Sequence, residues 1–245
     1  MPRWRCWSTS AGDAEPVPDG AAFLAWQHLA TAPERTPVLP DGCRDVLVLH
    51  RAGAAPQVML TAFDLCPRIA ELAAGTLIEG FRLRPGAGIA PQVLAEIARD
   101  AERGSGDGAA EILGNALAGL EGRGGDVGTA IRLLAGPSES LASVARGLGL
   151  SPRSLQRRFR EQGLPPPDHW RLLGRARRAA GQLAGAAALA EIAAECGFAD
   201  QAHMTRELAR WFGASPERLR RDRALLELAC QPALGNWTGE QISTR

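Results

Sequence analysis

The chain repeats itself, and that repeat limits its fold more than any other feature. Residues 141–159 read LASVARGLGLSPRSLQRRF, and residues 189–208 read LAEIAAECGFADQAHMTREL. Ala142, Val144, Ala145 and Leu148 align with Ala190, Ile192, Ala193 and Cys196 at an offset of 48. Gly149-Leu150 matches Gly197-Phe198, and one extra residue, Ala199, then moves the offset to 49. At that offset Ser151 matches Asp200, Leu155 matches Met204, Arg157 matches Arg206 and Phe159 matches Leu208. Two alanine-rich stretches can look alike by chance. Here caps, apolar positions and one Arg all recur in order, which points to duplication.

Each copy spells out its own local structure. Leu141, Val144, Ala145 and Leu148 have helical spacing, with Ser140 as N-cap. Gly149 ends that helix, because glycine accepts the positive φ a tight turn needs. Ser151-Pro152 opens a second helix with a cap and a proline in its first turn. Leu155 and Phe159 form its apolar side, and Arg153, Gln156, Arg157 and Arg160 form the other. Two helices joined by a glycine turn, the second with a polar face, make a helix-turn-helix. Between the copies, DHWRLLGRARRAAGQLA reads as a helix from about residue 168. Trp170, Leu173, Ala176, Ala180 and Leu183 line one side of it, and Arg171, Arg175 and Arg178 another.

Charge separates this region from the rest. The 245 residues carry a net charge of +1, and every one of the 28 basic residues is Arg. Residues 1–130 hold 11 Arg and 16 acidic residues, a net −5; residues 131–223 hold 16 Arg and 9, a net +7. That asymmetry suits a polyanionic partner for one half only. Arginine forks also bind phosphate and guanine better than lysine does.

The first half has a different pattern. Asp41-Gly42 reads as a turn leading into an apolar, β-branched strand at 46–49. Residues 57–60 and 77–83 read as further strands. Residues 1–37 are rich in Pro and Gly with few periodic runs. From about residue 90 the spacing becomes helical, with Val93, Leu94, Ile97 and Ala101 on one face and Ile112, Leu113, Ala116, Leu117 and Leu120 on another. The four glycines in 121–128 suggest a hinge.

The stretch IAAECGFADQAHMTRELARWFGASPERLR resembles the C-terminal signature of the AraC/XylS-type DNA-binding domain, and the likeness spans about residues 138–221. PDGCRDVLVL and GFRLRPGAG resemble the N-terminal domain of a subset of AraC-type regulators, where a cupin-like β domain senses an effector or dimerises. The resemblance implies an α+β chain. A β-rich, cupin-like domain with two helices near 90–120 occupies residues 1–125. An all-α domain with two helix-turn-helix units joined by a linker helix occupies 130–225, and 226–245 form a tail. It further implies a sequence-specific, DNA-binding transcriptional regulator of bacterial type, with a rigid linker setting two reading helices near ~34 Å apart, in successive major grooves. Arg153, Gln156, Arg157, Gln201, His203, Thr205 and Arg206 would face bases; Arg160, Arg171, Arg175 and Arg210 would face phosphates. Partners would be double-stranded DNA, with room for a small-molecule effector, RNA polymerase and a second copy of the chain.

Other classes find weaker support in the residues. Cys43, His50, Asp41 and Asp45 lie near one strand, but with one His and no HxH pattern they make a poor metal or nucleophile site. Cys66 beside Pro67 is a weak candidate for a reactive thiol. No catalytic residue, metal or cofactor is assigned. Two alternatives remain: a metal-binding or catalytic N-terminal domain fused to DNA-binding helices, and a ligand-independent architectural DNA-binding protein. Five scattered cysteines, no apolar leader and no apolar run near ~18 residues favour a cytoplasmic protein without a membrane partner.

Overall fold

A computed structural model describes residues 23–103, 108–118, 125–137 and 140–237. The class is α+β, with strands first and helices after, in two compact units.

The first unit is built on a four-stranded antiparallel sheet ordered β1-β6-β3-β4: Phe23–Leu29, Leu77–Leu83, Asp45–His50 and Gln57–Leu60. Strands β2 (Glu34–Val38) and β5 (Arg68–Leu72) pair separately. Strand β6 is central, and its Phe81 stands between Ala25 of β1 and Val46 of β3. Alternation sends Val46, Val48, Phe81 and Leu83 to one face. There they bury against Ile97 of helix α1 (Pro91–Glu102) and Leu113 of helix α2 (Gly108–Ala118). On the other face the Trp26 indole crosses β6 at Gly80, where a Cβ would come within 2.0 Å of the ring. Its N–H donates to Asp45 Oδ1 at 2.9 Å.

Strands β3, β4 and β6 lie where the sequence places them. Strands β1, β2 and β5 do not follow from it. In β1 both faces are partly buried, so Phe23, Leu24, Ala25 and Trp26 show no alternation. Pro37 interrupts β2, and β5 has only five residues. The glycine-rich stretch is not a hinge throughout, since Gly125–Gly128 already belong to helix α3 (Gly125–Ala135). Residues 119–124, with Leu120 and the start of that stretch, lie outside the described residues.

The second unit holds α3, α4 (Leu141–Gly147), α5 (Pro152–Glu161), α6 (Pro167–Gln182), α7 (Leu189–Glu195), α8 (Gln201–Phe212), α9 (Pro216–Arg221) and α10 (Arg223–Ala229). Helix α6 is its axis, about 24 Å long at 1.5 Å per residue. Trp170, Leu173, Ala176, Ala179 and Ala180 are fully buried along it. Helix α3 comes so close that a Cβ on Gly174 would lie 2.7 Å from Ala135 Cα.

Two arginines of α6 are buried. Arg178, expected on an exposed face with Arg171 and Arg175, is 7% exposed and donates to the Ala135 carbonyl. That carbonyl closes α3, and the last carbonyls of a helix lack partners of their own. A guanidinium supplies one and suits the negative end of the dipole. Burial lowers the Arg178 pKa. Arg177 donates from Nε to Leu234 O at 3.0 Å and from Nη2 to Asn236 Oδ1 at 3.2 Å. Of the stretch 226–245, read from the sequence as a tail, the described residues up to 237 are therefore packed: Leu226, Ala229, Ala233 and Leu234 are buried. Among the described residues no helix is long and apolar enough to cross a membrane.

The close approach at Gly174 is testable. Alanine normally favours a helix over glycine by about 1 kcal/mol. At position 174 its methyl would overlap the α3 backbone, so Gly174→Ala should destabilise the protein by about 1–3 kcal/mol in urea unfolding. Gly181 lies on the same helix with nothing within 4 Å of a new Cβ. Gly181→Ala should raise the unfolding midpoint.

Candidate nucleic-acid interface

The two copies close their turns with the same hydrogen bonds. After α4, Gly149 N–H donates to Arg146 O at 3.0 Å and Leu150 N–H to Ala145 O at 2.8 Å. After α7, Gly197 N–H donates to Ala194 O at 3.1 Å and Phe198 N–H to Ala193 O at 2.9 Å. These are Schellman closures, and they need a left-handed residue at the glycine. The φ values are 67° at Gly149 and 73° at Gly197. Each second helix then starts on a side-chain cap. Ser151 Oγ accepts from Ser154 N–H at 3.0 Å, and Asp200 Oδ1 accepts from His203 N–H at 2.6 Å. The first helices differ. Ser140 caps α4 through Ser143 N–H, while at α7 the Glu191 carboxylate accepts from Ala188 N–H.

Packing then fixes which side faces out. Leu155 and Phe159 of α5, and Met204 and Leu208 of α8, are fully buried. Arg157 and Arg206 each stand two positions from both members of their pair, about 200° around a helix of 3.6 residues per turn. They are the outermost side chains of the two helices. Arg153, Gln156 and Arg160 are exposed beside Arg157. Arg157 makes only an exposed 3.5 Å contact with Glu161, a pair of little strength. On α8, Gln201 and Arg206 are exposed, and His203 and Thr205 are half-buried.

The second face has constraints that spacing alone does not show. Thr205 Oγ1 donates to Gln201 O at 2.9 Å, so its oxygen is left as an acceptor. His203 Nδ1 lies 3.3 Å from Ala199 N, and a backbone N–H only donates. Nδ1 is therefore the acceptor, and a neutral His203 carries its proton on Nε2. Ala202 and Ala209 are also exposed on this face. They occupy the positions of Arg153 and Arg160, and the offset of 49 would have found them.

The arginines expected at phosphates differ in their surroundings. Arg160 is exposed. Arg171 pairs with Asp168 at 3.1 Å. Arg210 lies over the Trp211 ring at 5.2 Å and 3.8 Å from Glu207. Arg175 Nη1 donates to Gly197 O at 3.2 Å, and its guanidinium lies 4.5 Å from the centre of the Phe198 ring. Burial first, and Arg171 next, lower the Arg175 pKa. Arg220, part of the recognised signature, donates to Leu183 O and Ala187 O and ties down the loop between α6 and α7.

The acidic and thiol cluster of the first half does not converge. Asp45 faces Trp26 and Arg82, His50 Nε2 lies 2.8 Å from Glu79, and Cys43 is buried. Among the described residues no group of three or more His, Cys, Asp or Glu is placed to hold a metal ion.

A family model described as a helix-turn-helix domain matches residues 144–222. Residues 144–222 therefore carry a helix-turn-helix domain. A 97-residue stretch is 39% identical to the HTH-type transcriptional regulator VirS of Mycobacterium tuberculosis, in strains CDC 1551 / Oshkosh and H37Rv. The match covers 38% of this chain and 28% of each relative. A Chromobacterium violaceum regulator of the group with AraC-type DNA-binding domains is similar at 25% identity and TM-score 0.39. It is matched over 42% of this chain and 96% of its own. The DNA-binding domain of AdpA, solved with a target DNA, is similar at 26% identity and TM-score 0.34, over 39% of this chain and 86% of its own.

Within the helix-turn-helix domain, His169 joins α6 to α8. Its ring meets Trp170 edge-on at 5.6 Å and Trp211 of α8 at 5.2 Å. Burial, and next the charge of Arg210, push its pKa down to about 4. An unfolded histidine titrates near 6.5. Between these values the unfolded chain takes a proton that the folded one refuses. Stability from this site is complete above about pH 6.5 and is lost as pH falls toward 4. Urea unfolding at stepped pH should show that decline, and His169→Phe should flatten it.

Proposed function

We propose that the chain is a one-component transcriptional regulator that inserts α5 and α8 into successive major grooves on one side of double-stranded DNA. One observation carries the reading. Two duplicated, identically closed turns present Arg157 and Arg206 at equivalent outermost positions, on helices that both pack against α6. Arg153, Gln156 and Arg157 read bases from the first helix, and Gln201, His203, Thr205 and Arg206 from the second. Arginine forks onto guanine O6 and N7, and glutamine pairs with adenine. Nε2–H of His203 suits an acceptor on a base edge. Ala202 and Ala209 suit thymine methyls. Arg160, Arg171 and Arg210 hold phosphates and set register without specifying sequence. The N-terminal α+β unit receives the signal. An effector bound there acts by favouring the DNA-competent arrangement over the incompetent one.

The test starts from duplexes selected by the full-length protein out of a random-sequence pool. Arg157→Ala and Arg206→Ala should each weaken binding to the selected duplex by about 1–3 kcal/mol and relax the preference at one position of its half-site. Arg160→Ala should instead weaken binding alike on all sequences and make the salt dependence shallower, by roughly 0.9 in the log–log slope per lost phosphate contact. Equal losses on every sequence for Arg157→Ala and Arg206→Ala would remove base readout from both. A footprint on genomic fragments, with and without a small-molecule extract, tests control by an effector.

A further inference from the structure

Between the linker helix and the second reading helix runs a short chain of contacts that the first copy lacks. It starts at Arg175 on α6. Nη1 donates to the carbonyl of Gly197, the turn glycine, at 3.2 Å. The guanidinium plane carbon sits 4.5 Å from the centre of the Phe198 ring. Phe198 is only 6% exposed, and its ring meets His203 edge-on, at 5.5 Å and 89°. His203 is tied to the same turn through Ala199 N–H and to the helix start through Asp200. In the first copy Leu150 stands in place of Phe198 and offers no ring for a cation to stack on.

We infer that Arg175 is a positioning residue: through Gly197 and Phe198 it sets the second helix-turn-helix against the linker helix and holds His203 in its pose. This rests on the reading that α8 faces DNA. A residue that anchors phosphate should reach freely into solvent. Arg175 instead spends one N–H on a backbone carbonyl and one face on an aromatic ring. The bond to Gly197 also falls where the turn has least side-chain support, since glycine has none of its own.

The experiment uses the full-length chain and duplexes it selects from a random-sequence pool. The variants are Arg175→Gln, Arg175→Lys and Phe198→Leu. For a positioning role, Arg175→Gln should weaken binding tenfold or more with the slope of log K against log salt unchanged. The loss should disappear on duplexes whose α8 half-site is scrambled. Phe198→Leu should give the same pattern, and the double variant should lose little more than either single one. Arg175→Lys should not rescue, because an ammonium keeps the charge but not the planar stack and fork. For a phosphate contact the outcome reverses. Lysine would restore most binding, the slope would fall by roughly 0.9, and the loss would persist on scrambled half-sites. Either the lysine rescue or the fallen slope overturns the inference.

A second measurement needs no DNA. In the free protein the His203 ring resonances, assigned with His203→Gln, should shift in Arg175→Gln while those of His50 stay in place. Unmoved His203 resonances in a folded Arg175→Gln protein would sink the brace, whatever the DNA results. A shifted His203 in a protein that selects no duplex would leave the brace standing and remove the DNA reading instead.

Discussion

Close approach to α6 is the constraint on which the second unit depends. One sixteen-residue helix must contact α3, α8, α10 and both helix-turn-helix units. It can do so because four of its inward positions are small: Gly174, Ala176, Ala179 and Ala180. Small side chains let neighbouring backbones come near, and two large ones, Trp170 and Leu173, fill the space at one end. Close packing brings helix ends into the core, and these ends carry unpaired carbonyls. Arg178 meets the end of α3, and Arg177 meets the segment after α10. The buried arginines follow from the same tight packing.

The duplicated units separate what recurs as scaffold from what varies on the surface. Glycine φ, Schellman bonds, the side-chain caps of the second helices and their buried pairs recur in both. The exposed positions diverge. The first helix offers Arg153, Gln156, Arg157 and Arg160; at the same places the second offers Ala202, Thr205, Arg206 and Ala209. Only the outermost Arg is common. On the proposed reading, two heads of equal backbone geometry and unequal chemistry suit an asymmetric site, and a single chain carrying both needs no palindrome.

Much of this was legible in the sequence because the relevant physics is local. Caps, turn glycines and the spacing of Leu155 with Phe159 depend on a few neighbouring residues, and the repeat checks each of them twice. The α6 core positions were legible for the same reason. Less legible were features set by distant partners. A helical wheel sets Arg178 beside Arg171 and Arg175, but cannot know that the end of α3 arrives there. Strand β1 hid because its two faces both have cover, which removes the alternation that marks a half-buried strand. The role of Arg175 at Gly197 and Phe198, 22 and 23 positions further on, needs tertiary structure.

These contacts change what the charge asymmetry means. The +7 of residues 131–223 suggests a broad basic surface. Four of its arginines, Arg175, Arg177, Arg178 and Arg220, donate to backbone carbonyls of other segments, and Arg158 pairs with Asp126 of α3. Their charge mainly serves the fold. Arg153, Arg157 and Arg160 crowd one face of α5, whereas the matching stripe of α8 keeps Arg206 alone. In the proposed complex, electrostatic attraction from these stripes is therefore concentrated on α5, and it is this term that salt screens. In the same reading the matching stripe of α8, with Arg206, a donor-only imidazole edge and two methyls, depends more on shape and hydrogen-bond fit, and Arg210 adds a phosphate contact beside it. On that reading the orientation of α8 has to be set with more care, and the ring of Phe198, absent from the first copy, lies against His203 of that helix.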